Sequence, residues 1–221
     1  MATYLVTGSN CGIGLEYCKQ LRSSNHEVIA TCRQTSKDLD KLDVQIIQGI
    51  DIALEVDRQR LTSELKEKKI DVFISNAGIY ENNNLLDLDI ISISRQFNVN
   101  ALAPLALVKE LMSNFMEGSK IILMSSRMGS IEDNTSGGSY GYRMSKVALT
   151  MAGRSLSVDL KPYGIAVAVL HPGLVSTRMT AFTPHGISPE KSVQGLINRI
   201  DKLNINNSGC FWHSNGECLP W

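Results

Sequence analysis

Short apolar, β-branched runs alternate along the chain with segments whose apolar residues recur every three to four positions. The runs lie at 4–6, 28–31, 44–47, 72–74, 121–124 and 165–170, and a seventh is expected near 209–213. Strands that are apolar on both faces must be covered on both sides. The pattern therefore predicts an α/β domain, doubly wound, with a parallel sheet of about seven strands and helices on both faces. Ser188 as cap and Pro189 in the first turn predict a helix over 189–203. Turn-rich polar segments lie at 9–12, 81–84, 132–138 and 204–209. Three of these follow strands, and ligands of such sheets bind beyond the carboxyl ends of the strands.

Composition narrows the partners. A chain of 221 residues can bury one substantial core but not two ordinary ones, so 1–221 is expected to be a single domain. The longest apolar stretch, 165–170, is far short of the roughly 20 residues of a membrane span. The first residues run straight into a strand without the features of a secretory signal, and a cytoplasmic location is expected. The 22 basic and 22 acidic residues cancel and form no block, which points away from nucleic acid and anionic membranes and toward a small molecule. Cys11, Cys18, Cys32, Cys210 and Cys218 form an odd set without a CxxC pair, so neither a disulfide framework nor a metal site is expected.

The first strand runs into Thr7-Gly8-Ser9-Asn10-Cys11-Gly12-Ile13-Gly14 and then a helical segment with Ile13, Tyr17 and Leu21 on one face. A tight glycine turn there would bring backbone N–H groups and a helix N-terminus against a pyrophosphate. The pattern alone fits an ordinary glycine-rich turn equally well; its place at the first strand–helix junction favours a dinucleotide and a Rossmann-type domain. At the end of the second strand, where a carboxylate would hold the ribose of NAD, stand Cys32 and Arg33. A guanidinium can pair with a 2′-phosphate that a carboxylate would repel, so NADPH/NADP is expected over NAD, although a solvated strand-end arginine fits as well.

Ser125 and Ser126 follow the fifth strand, and Tyr142-Arg143-Met144-Ser145-Lys146 opens the next helix. The i, i+4 spacing puts the Tyr142 phenol and the Lys146 ammonium on one face. A nearby cation favours phenolate, and a lowering of roughly three units, worth about 4 kcal/mol, from the lysine and an oxidised nicotinamide together would make the tyrosine an acid/base near neutrality. Tyr-x-x-x-Lys alone occurs by chance in many helices.

Taken together and in order, these elements resemble the short-chain dehydrogenase/reductase family from Thr7 to Met179. The resemblance implies a cofactor loop at Gly8, Ser9, Asn10, Gly12, Ile13 and Gly14, an adenine-side Asp51-Ile52, and a sheet-stabilising Asn76-Ala77-Gly78. It implies nicotinamide-side residues Pro172, Gly173, Val175 and Thr177, and a catalytic tetrad of Asn100, Ser126, Tyr142 and Lys146. Tyr142 would give a proton to a carbonyl or take one from an alcohol. Lys146 would lower its pKa and hold the nicotinamide ribose, Ser126 would bind the substrate oxygen, and Asn100 would fix the helix geometry and a water beside Lys146. The segments 132–138, 155–160 and 215–221 resemble the compact subgroup of C-factor and sniffer-type carbonyl reductases.

The implied function is an NADPH-dependent carbonyl reductase or alcohol dehydrogenase, with an NAD(P)-binding redox-sensing or signalling protein of little turnover as the alternative. A sugar-nucleotide epimerase would need a longer C-terminal part. The family also implies a homo-oligomer, dimer or tetramer, through the helices around Asn100 and Tyr142. Either Ser125 or Ser126 could serve, and Ser126 is preferred because Gly129 follows at the usual offset. Tyr140 is expected to be a pocket wall or packing, His171 structural, and Trp212 and Trp221 anchors of the tail. Residues 174–187 are expected to cover a wide, open substrate pocket.

Overall fold

The computed structural model describes residues 1–221. The seven apolar runs become seven parallel strands: β1 (Thr3–Thr7), β2 (Glu27–Cys32), β3 (Gln45–Gln48), β4 (Val72–Ser75), β5 (Lys120–Met124), β6 (Ala166–His171) and β7 (Cys210–His213). Their order across the sheet is β3-β2-β1-β4-β5-β6-β7. The chain winds outward from β1 in one direction, returns to β4 beside it, and winds outward in the other. The crevice beyond β1 and β4 is therefore a topological switch point, where a ligand finds room between diverging loops.

Two apolar clusters of 21 buried residues each lie on opposite faces of the sheet, as two-faced apolar strands require. On one face α1 (Gly12–Ser23), the short α2 (Lys37–Asp40) and α7 (Pro189–Lys202) bury Leu15, Tyr17, Leu39, Val193 and Leu196. On the other, α3 (Glu55–Glu64), α5 (Ala103–Glu110) and α6 (Tyr140–Asp159) bury Leu61, Leu107 and Leu149. Burying a leucine stabilises the fold by about 1.5–3 kcal/mol, so these clusters outweigh any single polar contact described below. The predicted cap of α7 forms: Ser188 accepts a hydrogen bond from Lys191 N, and Pro189 sits in the first turn. No helix is long and apolar enough to cross a membrane.

One feature is invisible in the periodicity. α4 (Ile90–Phe97) continues into α5 through a π-helical turn, Asn98–Leu102, which contains Asn100. Such a bulge re-aims a side chain without ending the helix.

Candidate active site

The strand ends deliver the first half of the site. Thr7, fully buried at the end of β1, accepts hydrogen bonds at Oγ1 from Asn76 N (3.0 Å) and Ala77 N (3.1 Å), while Asn76 Nδ2 donates to Thr7 O and Gly8 O at 3.0 and 3.2 Å. The ends of β1 and β4 are thus locked together at the switch point. Gly8 turns the chain with φ +68°, and a Cβ there would lie 2.9 Å from Ala77 Cα. A Cβ on Gly14 would strike the Gly8 carbonyl and come within 2.6 Å of Asn76 Nδ2. Glycine is needed where helix and strand approach this closely.

The turn opens a cleft of about 930 Å³ lined by Gly8, Asn10, Gly12, Ile13, Gly14, Arg33, Asp51, Ile52, Asn76, Ala77, Gly78, Tyr142, Lys146, Pro172 and Thr177. Fifteen of the residues expected at a cofactor therefore meet in one place, and the glycine cradle before α1 fits a dinucleotide pyrophosphate. Arg33, largely exposed, lies 4.0 Å from Asp51, an ion pair loose enough to leave the guanidinium accessible. Ser9 departs from expectation. It is fully buried; its hydroxyl donates to Val6 O and its N–H to Thr31 O. Both donors are consumed within the protein, so Ser9 shapes the turn and does not face the cleft.

A second cleft, of about 580 Å³, adjoins the first and is lined by Ser126, Tyr142, His171, Gly173, Val175 and Thr177, among others. Ile13, Pro172, Thr177 and Tyr142 line both. Tyr142 stands in the first turn of α6, half-buried, with Tyr80 edge-on to its ring at 5.1 Å. Burial pushes its phenol up to about 12, Ser126 pulls the value down through a side-chain hydrogen bond, and Tyr80 adds a small upward push. Lys146 alone does not produce the lowering expected of it together with an oxidised nicotinamide. The buried Lys146 ammonium donates to Met124 O at 2.8 Å, lies 5.6 Å from the Tyr142 ring centroid, and is pushed down to about 8 by its own burial. The phenol is accordingly held as a proton donor.

The two serines separate cleanly. Ser125 shares a hydrogen bond with Thr150 Oγ1 at 3.0 Å and reaches Lys146 O at 3.3 Å, so its hydroxyl binds β5 to α6. Ser126 caps the 3₁₀ turn Arg127–Gly129 by accepting from Met128 N and presents its hydroxyl to Tyr142. Gly129 is required beneath it, since a Cβ would lie 2.9 Å from the Lys146 backbone carbon. Asn100 lines neither cleft. Its Oδ1 accepts from Ile79 N (2.8 Å), and its Nδ2 donates to Ile79 O (2.9 Å) and Ser145 Oγ (3.0 Å), which in turn donates to Tyr142 O (2.7 Å). The π turn thereby ties the first turn of α6 to the loop after β4, and Asn100 is a positioning residue.

Sequence reasoning missed part of the second cleft. Tyr80, Arg127, Asp133 and Arg143 line it, whereas Tyr140 lines neither cleft. A signal existed for Arg143, which directly follows Tyr142; none existed for Tyr80, which folding alone brings there. The covering segment 174–187 is closed at its base by Ile187 N to Leu174 O and Ser176 N to Ile187 O. Trp221 packs on Phe211 at 6.0 Å and its carbonyl accepts from Ile131 and Glu132 N, anchoring the tail beside the loop after β5.

His171, at the end of β6, stacks edge-on against His213 at 4.9 Å, and its buried Nδ1 has no hydrogen-bond partner. Burial, His213 and Arg127 together push its pKa down to about 3. The unfolded chain binds a proton below about pH 6.5 that the native ring refuses until about pH 3, so native stability falls as pH drops through that window. His171→Leu is expected to remove up to about 1.4 kcal/mol per pH unit from this slope. Urea midpoints at pH 7 and pH 5 check it; equal slopes in both proteins would show that the ring is protonated in the native state.

Comparison with known proteins agrees with this architecture. Residues 2–187 match the short chain dehydrogenase family. The 1-hydroxy-2-glutathionyl-2-methyl-3-butene dehydrogenase of Rhodococcus sp. (strain AD45) is 38% identical over 226 residues, covering 100% of both chains. The C-signal of Myxococcus xanthus is 41% identical over 155 residues, 69% of this chain and 93% of that protein. Among solved structures, the carbonyl reductase Sniffer of D. melanogaster superposes with a TM-score of 0.89 at 30% identity, covering 100% of each chain. The NADPH-bound carbonyl reductase from chicken fatty liver superposes with a TM-score of 0.90 at 26% identity, covering 100% of this chain and 99% of that one. With its seven-stranded parallel sheet, its glycine cradle and this match over most of its length, the chain belongs to the short-chain dehydrogenase/reductase family of NAD(P)-dependent oxidoreductases.

Proposed function

We propose that the protein is an NADPH-dependent carbonyl reductase, and an alcohol dehydrogenase in reverse, with Tyr142 as general acid/base. The observation that carries this reading is that Tyr142 lines both clefts at once, with Ser126 beside it in the lining of the second. A carbonyl in the second cleft would face Tyr142 and Ser126, while the first cleft holds the dinucleotide, which supplies the hydride when bound. Tyr142 donates the proton to the developing alkoxide, and its raised pKa keeps that proton in place at neutral pH. Ser126 donates a hydrogen bond to the same oxygen. Lys146, held by Met124 O in the lining of the first cleft, would hold the nicotinamide ribose and balance charge as the phenol gives up its proton. Asn100 keeps Tyr142 in register through Ser145.

NADPH is favoured over NADH by Arg33, exposed at the end of β2 and only loosely paired with Asp51. The similar chicken carbonyl reductase is described as NADPH-bound. Fluorescence titration with both cofactors, followed by turnover on a carbonyl panel, tests the reading. NADPH is expected to bind the more tightly, and Arg33→Ala to weaken it about tenfold, the loss of one charge-assisted bidentate contact, without weakening NADH. Equal binding of both cofactors, or an Arg33→Ala variant indifferent to the 2′-phosphate, overturns the cofactor choice.

The likeness to C-signal favours a second reading, an NAD(P)-binding signalling protein with little turnover. Tight cofactor binding with no activity across the panel would select it. We also propose a cytoplasmic homo-oligomer. All five thiols are free, and Met144, Met151 and Val158 leave an exposed apolar stripe at heptad spacing along α6, next to exposed Leu102 and Leu105. A second copy of the chain would cover it; a monomer in sedimentation at micromolar concentration would count against this.

A further inference from the structure

The walls of the second cleft are mostly apolar, with Ile13, Met128, Leu174, Val175 and Met179 available for the body of a substrate. Its ionic groups are unevenly matched. Arg127 is enclosed by carboxylates: Nη2 donates to Glu217 at 2.8 Å, and Nε faces Asp133 at 3.6 Å. Asp133, the acidic residue of the lining, is turned to that guanidinium. His171 remains neutral near pH 7. Arg143, by contrast, has no carboxylate within 4.0 Å.

Arg143 is nonetheless held in place. Its Nε donates to Gly137 O at 3.2 Å and its Nη2 to Ser136 Oγ at 2.8 Å, both neutral acceptors on the loop before α6. A guanidinium has five N–H donors, so this arrangement fixes the fork and leaves donors over. A half-buried, pre-oriented cation without a counter-ion at the wall of a cleft whose other ionic groups are matched to each other is suited to a carboxylate or phosphate, for which the fork is matched in shape. Arg143 directly follows Tyr142, so the two side chains diverge by about 100° around the helix. A substrate whose carbonyl meets Tyr142 would present its anionic group to one side, away from the reacting carbon.

We infer that the substrate carries a carboxylate or similar anionic group remote from the carbonyl or alcohol, and that Arg143 is the specificity-determining residue that binds it. This rests on the reductase reading above. The test compares 4-carboxybenzaldehyde with its methyl ester, at fixed NADPH, in wild type, Arg143→Gln and Arg143→Lys. The quantity read is the ratio of kcat/KM for the acid to that for the ester. Wild type is expected to favour the acid by about tenfold, the effect of one charge-assisted contact. Arg143→Gln should abolish that preference, mainly through KM for the acid, and Arg143→Lys should retain part of it. The preference should also shrink as salt rises, because a rim ion pair is screened. A wild type that does not favour the acid, or an unchanged ratio in Arg143→Gln, overturns the inference. Should neither aldehyde turn over, the reductase reading falls, and calorimetric titration of 4-(hydroxymethyl)benzoate against its methyl ester decides this one. Tighter binding of the acid that Arg143→Gln removes upholds it, and equal binding of acid and ester overturns it.

Discussion

Tyr142→Phe is expected to lower carbonyl turnover by about 10²–10⁴-fold, the contribution general of a positioned proton donor, while NADPH binding stays close to wild type. The substitution deletes one hydroxyl and preserves the ring that packs edge-on against Tyr80. It leaves Lys146 on Met124 O and Asn100 on Ser145, so the local frame has no reason to shift. The alkoxide formed by hydride arrival would then lose its proton source, because Ser126 is a far poorer acid and His171 is neutral, with its pKa near 3. Single-turnover oxidation of bound NADPH by a reactive aldehyde, alongside a binding titration, separates the two effects. Turnover retained within tenfold would move the proton to another donor. Loss of cofactor binding would instead make Tyr142 a structural element of the cleft.

Gly14→Ala is expected to combine a stability defect of about 3 kcal/mol, toward the upper end of the range for overpacking, with a severe loss of NADPH binding. The added Cβ would meet the Gly8 carbonyl carbon at 2.9 Å and Asn76 Nδ2 at 2.6 Å. Both belong to the lock between β1 and β4 and neither is the free end of a flexible side chain. Relief requires α1 to retreat from the strand ends, which moves the N–H groups that would cradle the pyrophosphate. At 2–4 °C per kcal/mol for a chain of this size, the melting temperature should fall by about 6–12 °C. Thermal melts with and without NADPH read both parts. A variant that melts with wild type and is stabilised equally by cofactor would mean that the loop is not the phosphate cradle.

Much of this could be read along the chain because it depends on local rules. Alternation of two-faced apolar runs with helical segments placed all seven strands within one or two residues, since burial on both sides of a parallel sheet leaves no polar face to blur the pattern. The Ser188 cap and Pro189 marked the start of α7 for the same local reason. The glycines of the first turn and the i, i+4 pair of Tyr142 and Lys146 carry their geometry in their spacing. Resemblance to a family supplied the rest of the candidate list, and nearly all of it converges on the two adjoining clefts.

What spacing could not settle were matters of orientation. Ser9 sits within the glycine loop, yet its hydroxyl turns inward to Val6 O; Ser125 and Ser126 are neighbours, yet opposite sides of an extended backbone send one to α6 and the other to Tyr142. Asn100 acts through a π turn that no periodicity announces. The tyrosine–lysine pair was legible, but the direction of the Tyr142 shift was not, because its burial depends on elements far apart in the chain. Arg127 and Arg143 look alike in sequence and differ only in their surroundings, one enclosed by Asp133 and Glu217, the other free of acids. Local periodicity and backbone sterics sufficed for the layers of the fold, whereas the dinucleotide turn and the candidate acid/base became legible only through their joint resemblance to a family. Which side chains face the clefts, which charges are matched and which protons are held follows from the packed molecule alone, because burial and electrostatics are summed over neighbours in space.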